Sequence, residues 1–320
     1  MIGTLRRAVT LFAMLAVALL NAAAPGPALA QSTTALRIGV IPSDFSAQPY
    51  YAQDMGFFAK QGLNVEIVPV NNGAAAAAAV LTGSLEFAYS NVMSLAIAHD
   101  KGIPLTIVAL ANIYTAEAPA GGLIGVKRSS PISTAQDLNG KTVAVGALNN
   151  VTHLGARAWV DANGGDSTSV HWLEIQISAM AAAVLSGRID AAVMDQGVYP
   201  TLGKPGDPIR VIGHAYDAVA RTFAVGGWFG SADWVKQHPL EARKFAAAMA
   251  DAATWAKTHH RESAAILAKY LKESAADINA NARYAYGTVA TTQMLQPSID
   301  VSAKYGLIHS AFPATELVTR

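Results

Sequence analysis

The feature that most constrains this chain is a near-repeat. Val80-Leu81-Thr82-Gly83-Ser84-Leu85-Glu86-Phe87-Ala88 returns 104 residues later as Val184-Leu185-Ser186-Gly187-Arg188-Ile189-Asp190-Ala191-Ala192. Each copy reads as the end of a helix, a glycine that stops it, and a short apolar strand. At the same spacing residues 36–41 fall on 140–145, and both segments are strand-like and run into a loop and a helix. A period this long does not suit a solenoid. It predicts two α/β halves of similar plan.

Hydrophobic patterning fills in the halves. In the first, strands are expected over 36–41, 65–70, 85–89 and 105–110, with helices over 50–61, 74–81 and 92–99. In the second, strands are expected over 142–145, 170–174, 191–194 and 209–212, with helices over 152–163 and 179–185. Strands alternating with helices imply two mixed, mainly parallel sheets with flanking helices. Segments 121–126 and 225–230 are apolar and Gly-flanked, as the two crossover strands of a hinge would be. Two crossings return the C-terminal part to the first half. That part has helical periodicity over 233–237, 240–259 and 262–271, with Pro239 where a helix start tolerates it. Residues 35–122 plus 225–320 then form lobe I, and 123–224 form lobe II.

Residues 1–30 read as a cleaved signal peptide. Arg6 and Arg7 precede an uncharged, mostly apolar run over 8–20, and Ala28-Leu29-Ala30 is a small-x-small cleavage site. The run is shorter than the ~20 residues a membrane-spanning helix needs. Cleavage removes two positive charges from a chain of net charge +1. With no basic stripe, a nucleic-acid partner is not expected. The chain has no cysteine, so it has neither a thiol nucleophile nor a lipid-attachment site after cleavage. A periplasmic location is expected.

The residues also carry a resemblance. Leu36-Arg37-Ile38-Gly39-Val40 leads to Pro49-Tyr50-Tyr51-Ala52, Gly56-Phe57-Phe58, Gly62-Leu63-Asn64-Val65 and Asn72-Gly73. Then come Thr82-Gly83-Ser84-Leu85-Glu86-Phe87-Ala88-Tyr89 and Asp137-Leu138-Asn139-Gly140-Lys141-Thr142-Val143-Ala144-Val145. In order and spacing, over roughly 35–260, this resembles the nitrate/sulfonate/taurine-type substrate-binding proteins of ABC transporters, a group related to thiamine-pyrimidine binding proteins. The resemblance implies a bilobed periplasmic-binding-protein fold with a cleft between lobes. It implies a small-molecule ligand, an inner-membrane ABC permease and its ATPase as partners, and a monomer that binds rather than catalyses. Relatives of the fold also include a thiamine-pyrimidine synthase that depends on cysteine-rich sequence and a lysine-bound cofactor. The absence of cysteine and the export signal count against that enzyme. A periplasmic sensor is a further alternative. No cofactor is expected.

In open α/β sheets ligands bind beyond the carboxyl ends of strands, where helix N-termini present free N–H groups. In the first half that rule selects Phe45 and Gln48 after the first strand, Asn71, Asn72 and Gly73 after the second, and Ser90 and Asn91 after the third. In the second half it selects Asn149, Asn150, Thr152, His153, Ser178, Asp195 and Gln196. The repeat pairs Asn91 with Asp195. Each residue has a second reading: Ser, Asn and Asp cap helices and make turns without any ligand. Asp195 either caps a following helix or neutralises an amino group, and Phe45 is either cleft wall or core. None of these loops contains Arg or Lys, so a monoanion, or a neutral or zwitterionic solute, suits them better than a dianion.

Other motifs fail. Asn139-Gly140-Lys141-Thr142 lacks the upstream glycine of a P-loop, because position 135 is Ala135. His259 and His260 are adjacent, about 100° apart on a helix, and make no metal pair. No G-x-S-x-G elbow is present. No metal is expected.

Overall fold

The computed structural model describes residues 34–199 and 201–318. The expected signal peptide lies outside them. In chain order the first half contains β1 (Thr34–Val40), α1 (Gln48–Asp54), α2 (Phe57–Lys60), β2 (Leu63–Pro69), α3 (Gly73–Leu81), β3 (Phe87–Asn91), α4 (Val92–Asp100) and β4 (Leu105–Leu110). The chain then passes through β5 (Asn112–Thr115). The second half contains β6 (Leu123–Lys127), β7 (Thr142–Val145), α5 (Val151–Ala162), β8 (His171–Glu174), α6 (Ile177–Leu185), β9 (Ala191–Met194) and β10 (Ile209–His214). It returns through β11 (Thr222–Ala224) to β12 (Gly226–Ser231), α7 (Ala232–Gln237), α8 (Pro239–Thr258), α9 (His260–Leu271), α10 (Ala275–Asn279), β13 (Ala285–Tyr286) and α11 (Thr292–Lys304).

The repeat is visible in atomic detail. Gly83 and Gly187 both take the left-handed conformation, at φ 71° and 74°, which glycine adopts at little cost. Ser84 N–H bonds Ala79 O at 2.8 Å, and Arg188 N–H bonds Ala183 O at 3.0 Å. These are equivalent helix-ending contacts. The sheets repeat as well. The first has the order β2-β1-β3-β12-β4 and the second, read from its other edge, β8-β7-β9-β6-β10. In each, the first three strands are parallel. The fourth is antiparallel and comes from the far side of a crossing.

That arrangement refines the sequence expectation. Segments 121–126 and 225–230 do become strands, but each sits inside a sheet. The crossing itself runs through β5 and β11, which pair antiparallel (Phe223 opposite Tyr114), with β13 added on the other side of β5. The helix expected over 50–61 is two helices, because Gly56 turns left-handed at φ 72° between them.

Each sheet packs between two apolar layers. On one face of the first sheet, Leu36, Ile38 and Val40 meet Phe245, Met249 and Leu267 of α8 and α9. On its other face, Ala88 and Phe229 meet Val80, Leu95 and Ile299. The second sheet buries Val143, Val145 and Val193 against Leu154 and Val160. Its opposite face buries Ala144 and Ala192 against Met180 and Val184. Alternate strand residues thus serve opposite layers, as pleating requires. Among the described residues no helix is long and apolar enough to cross a membrane.

Candidate functional site

The site is built where strand ends of the two halves meet the crossing strands. After β1 the chain makes a short turn that buries Asp44, 3% exposed. Its carboxylate is held by the segment before and within β13. Arg283 Nε donates to Oδ1 at 2.8 Å, and Tyr284 N–H donates to Oδ2 at 2.9 Å. After β9, at the equivalent edge of the second sheet, Asp195 is 6% exposed. Its Oδ1 accepts from Gly122 N–H at 3.1 Å and from the Tyr284 hydroxyl at 2.8 Å. Tyr284 therefore joins the strand ends of both halves. Ala282 N–H donates to Gln196 Oε1 at 3.3 Å, and Lys204 Nζ donates to Asn281 Oδ1 at 2.9 Å, so segment 281–284 is strapped to the second half along its length.

Two glycines make this close approach geometrically feasible. A Cβ on Gly121 would fall 1.7 Å from the Tyr284 hydroxyl and 2.0 Å from Asp195 Oδ1. A Cβ on Gly226 would fall 2.4 Å from the Tyr89 ring and 2.6 Å from Asn112 Oδ1. Around Asp195 the surroundings are aromatic. Phe45 packs on Tyr89 with centroids 5.2 Å apart and meets Tyr284 edge-on at 6.4 Å. Tyr89 donates its hydroxyl to Asn112 Oδ1 at 3.0 Å.

Burial dominates the electrostatics. It pushes the Asp195 carboxyl above the usual carboxylate range. The hydrogen bonds from Tyr284 and Gly122 oppose the shift, and the nearby Asp44 charge adds to it. Burial likewise raises the phenols of Tyr89, Tyr216 and Tyr284, with the Asp195 charge reinforcing the effect. These tyrosines are neutral at any ordinary pH. Among the described residues nothing pairs with Asp195 Oδ2, and no group of three or more His, Asp or Glu is placed to hold a metal ion.

The residues selected from sequence fall into groups. Phe45, Asp195 and Gln196 gather at Tyr284. No helix follows Asp195; the chain turns there, with Val198 and Tyr199 N–H on the Asp195 carbonyl. Its side chain serves Gly122 and Tyr284 instead of a cap. Gly73 and Ser90 are neighbours, since a Cβ on Gly73 would lie 2.6 Å from Ser90 Oγ. Asn72 caps α3 through Ala75 N–H, Asn71 is exposed, and Asn91 caps α4 through Ser94 N–H, each cap at 2.9 Å.

Asn150 caps α5, its Oδ1 accepting from Thr152 and His153 N–H and from the Thr152 hydroxyl. Asn149 is exposed at φ 58° and donates its N–H to His153 Nδ1 at 3.0 Å. A groove of about 280 Å³ is lined by Asn149, by Ser94 of α4 and by Lys101 just after that helix. Burial lowers the His153 imidazole to about 4, helped by the Arg157 charge. Ser178 is exposed in the first turn of α6. Gln48 lies in the core rather than on a cleft wall. It is fully buried, accepts from Trp228 Nε1 at 2.8 Å, and donates to the Leu110 and Met249 carbonyls.

A model of the NMT1/THI5-like family matches residues 45–263, more than half of the chain. The chain belongs to the NMT1/THI5-like family. A formylaminopyrimidine-binding protein of Halalkalibacterium halodurans is 29% identical over 144 residues, which cover 45% of this chain and 42% of that relative. The match thus spans less than half the relative's length. Among solved structures, the periplasmic aliphatic sulphonate binding protein SsuA of Escherichia coli superposes with a TM-score of 0.72 at 18% identity, over 90% of this chain and 93% of that one. The periplasmic nitrate-binding protein NrtA of Synechocystis PCC 6803 gives 0.69 at 17% identity, over 86% and 82%. At these identities the likeness is one of fold, that of a bilobed periplasmic binding protein.

Sequence reasoning missed much of what surrounds Asp195 in this NMT1/THI5-like protein. Asn112 sits on the crossing strand, Tyr216 lies beside it, and Arg283 and Tyr284 arrive from a C-terminal segment with no helical or strand periodicity. Arg283 also alters the charge argument. The loops themselves lack Arg and Lys, yet a guanidinium is brought against the first loop, where Asp44 neutralises it. The residues Arg283-Tyr284-Ala285-Tyr286 are an aromatic, cationic cluster in an otherwise alanine-rich stretch. That was the one available signal.

Proposed function

We propose that this protein is the solute-binding component of an ABC importer, working in the periplasm. It captures a small planar heteroaromatic solute bearing an N–H donor, and its two halves close around that solute. The observation that carries this reading is Asp195. Its carboxylate lies beside Tyr89 and Tyr284, near Phe45, with Oδ1 accepting from Gly122 N–H and the Tyr284 hydroxyl, which leaves Oδ2 as the oxygen a solute would meet. A buried acceptor beside aromatic faces suits an amino group on a flat ring. A nitrate or sulfonate would meet a carboxylate there, while the nearest guanidinium, Arg283, has its charge paired with Asp44 and keeps only Nη1 without a partner among the described residues. The resemblance to a formylaminopyrimidine-binding protein supports the same solute class. Lobe closure is supported by the short paired strands β5 and β11, which connect two separately packed sheets.

Asn91, Asn150, Thr152, Ser90 and Gly73 line the strand ends around this centre in the same reading, with helix N-termini contributing free N–H groups. A Kd near micromolar corresponds to about −8 kcal/mol. A few hydrogen bonds at about 0.5–1.5 kcal/mol each plus burial of a ring supply it. The test is calorimetry on residues 31–320 with formylaminopyrimidine, 4-aminopyrimidine, taurine, ethanesulfonate and nitrate. Binding of the pyrimidines, weakened at least tenfold by Asp195→Ala, is expected. Binding of the anions alone, indifferent to Asp195, would overturn the reading.

A further inference from the structure

Asn112 is almost wholly buried, at 1% exposure, and stands on the crossing strand β5. On its main chain the carbonyl accepts from Val225 N–H at 3.0 Å, and the residue stands opposite Tyr286 of β13. Its side chain is used only in part. Oδ1 accepts from the Tyr89 hydroxyl at 3.0 Å, which fixes the plane of the amide, while Nδ2 has no partner among the described residues. A buried donor left unpaired costs free energy. Gly226 lies against this pair with no Cβ, so the backbone leaves the amide its place. Tyr89, which holds the amide, packs on Phe45 and feels the Asp195 charge. Asn112 is therefore linked to the surroundings of Asp195 through Tyr89, and it sits on a strand that joins the two halves.

Building on the solute class proposed above, we infer that Asn112 is a specificity-determining residue. Its Nδ2 donates to an acceptor atom of the solute ring, such as a ring nitrogen, while Asp195 Oδ2 accepts the solute's amino group. A donor and an acceptor with fixed orientations distinguish an aminated heterocycle from a hydrocarbon ring of the same shape. A site built to satisfy buried polar groups rejects a ligand that leaves them unpaired. Tyr89 acts as the positioning residue, since its hydroxyl holds one end of the amide and leaves the other end free for the solute.

The experiment uses residues 31–320 with two probes, 4-aminopyrimidine and aniline. They share size and amino group, and only the first has ring nitrogens. Calorimetry is run on wild type, Asn112→Leu and the double variant Tyr89→Phe/Asn112→Leu, alongside solute-free thermal melts. Wild type should favour 4-aminopyrimidine at least tenfold, and both variants should bring the two probes within about twofold. The solute-free Tm of the double variant should equal or exceed wild type, because both partners of the Tyr89–Asn112 bond and the orphaned donor are removed together. A Tm of the double variant below wild type would show that the amide is a structural group, and unchanged discrimination would show that it does not touch the solute. Either result overturns the inference. If wild type binds neither probe, the solute class fails. The melts then still decide Asn112: a fall shows the amide to be satisfied within the protein, and a rise sustains its place as an unfilled donor.

Discussion

Asp44 and Arg283, separated by 239 residues, form a buried ion pair at 2.8 Å. It ties the turn after the first strand to the C-terminal segment. Breaking a buried pair from one side leaves an uncompensated charge, typically worth about 3–5 kcal/mol. Asp44→Ala is therefore expected to lower the Tm by roughly 6–20 °C, at about 2–4 °C per kcal/mol for a chain of this size. Asp44→Ala combined with Arg283→Met should recover part of the loss. Scanning calorimetry of the two variants checks this. Equal losses would show that the charge of Arg283 is not stranded by removing Asp44.

Asp195 predicts a pH dependence of the opposite sign from most carboxylates. Its folded pKa is raised, so the unfolded chain gives up its proton first as pH climbs. Folding stability from this group is thus complete below the ordinary carboxylate range and declines as pH rises through that range to the raised value. Asp195→Asn keeps acceptors for Gly122 and Tyr284 and cannot ionise. Its Tm should exceed wild type at pH 7 by about 2–4 °C, with the difference vanishing near pH 3. A constant difference across pH would refute the assignment.

His153 works the other way. Burial holds its imidazole at about 4, below the ordinary value near 6.5. The neutral form accepts from Asn149 N–H and meets Trp172 edge-on at 5.1 Å. Its stability contribution is present above pH 6.5 and is lost as pH falls towards 4. Allowing for solvent screening, the loss is on the order of 1–3 kcal/mol. His153→Gln should flatten the Tm profile between pH 6.5 and 4, measurable by circular dichroism melts.

Gly121 offers a steric test. Gly121→Ala forces a methyl into the Tyr284–Asp195 bond, and overpacking of this kind costs about 1–3 kcal/mol. Affinity for the bound solute should fall at least tenfold. Gly56→Ala is the control. Its φ of 72° makes the change unfavourable, but nothing lies within 4 Å, so a comparable stability loss should leave affinity unchanged.

Legibility in the sequence followed the range of the interactions. Gly83 and Gly187 announced themselves because a left-handed helix stop is a local demand on one residue type. The parallel strands and their helices were readable from apolar runs bounded by such stops. Strand pairs of three or four residues, such as Phe223 with Tyr114, carry no periodicity and exist only through distant partners. The rule that ligands sit beyond strand ends selected Asp195 as a candidate but not Tyr284, which reaches it from 89 residues further on. Gln48 misled for a related reason. Its position on a loop said cleft, whereas Trp228, 180 residues away, draws it into the core.

The placement of β12 governs the order in which the molecule can be completed. It lies between β3 and β4, so residues 105–110 have no neighbour in their own sheet until residues 226–231 are available. The amino-terminal half must wait, with its last strand unzipped, while the whole of the other half is made. Closing a loop of that length before any reward is gained slows folding. A chain assembled this way stays threadable for longer than one whose first half could finish alone.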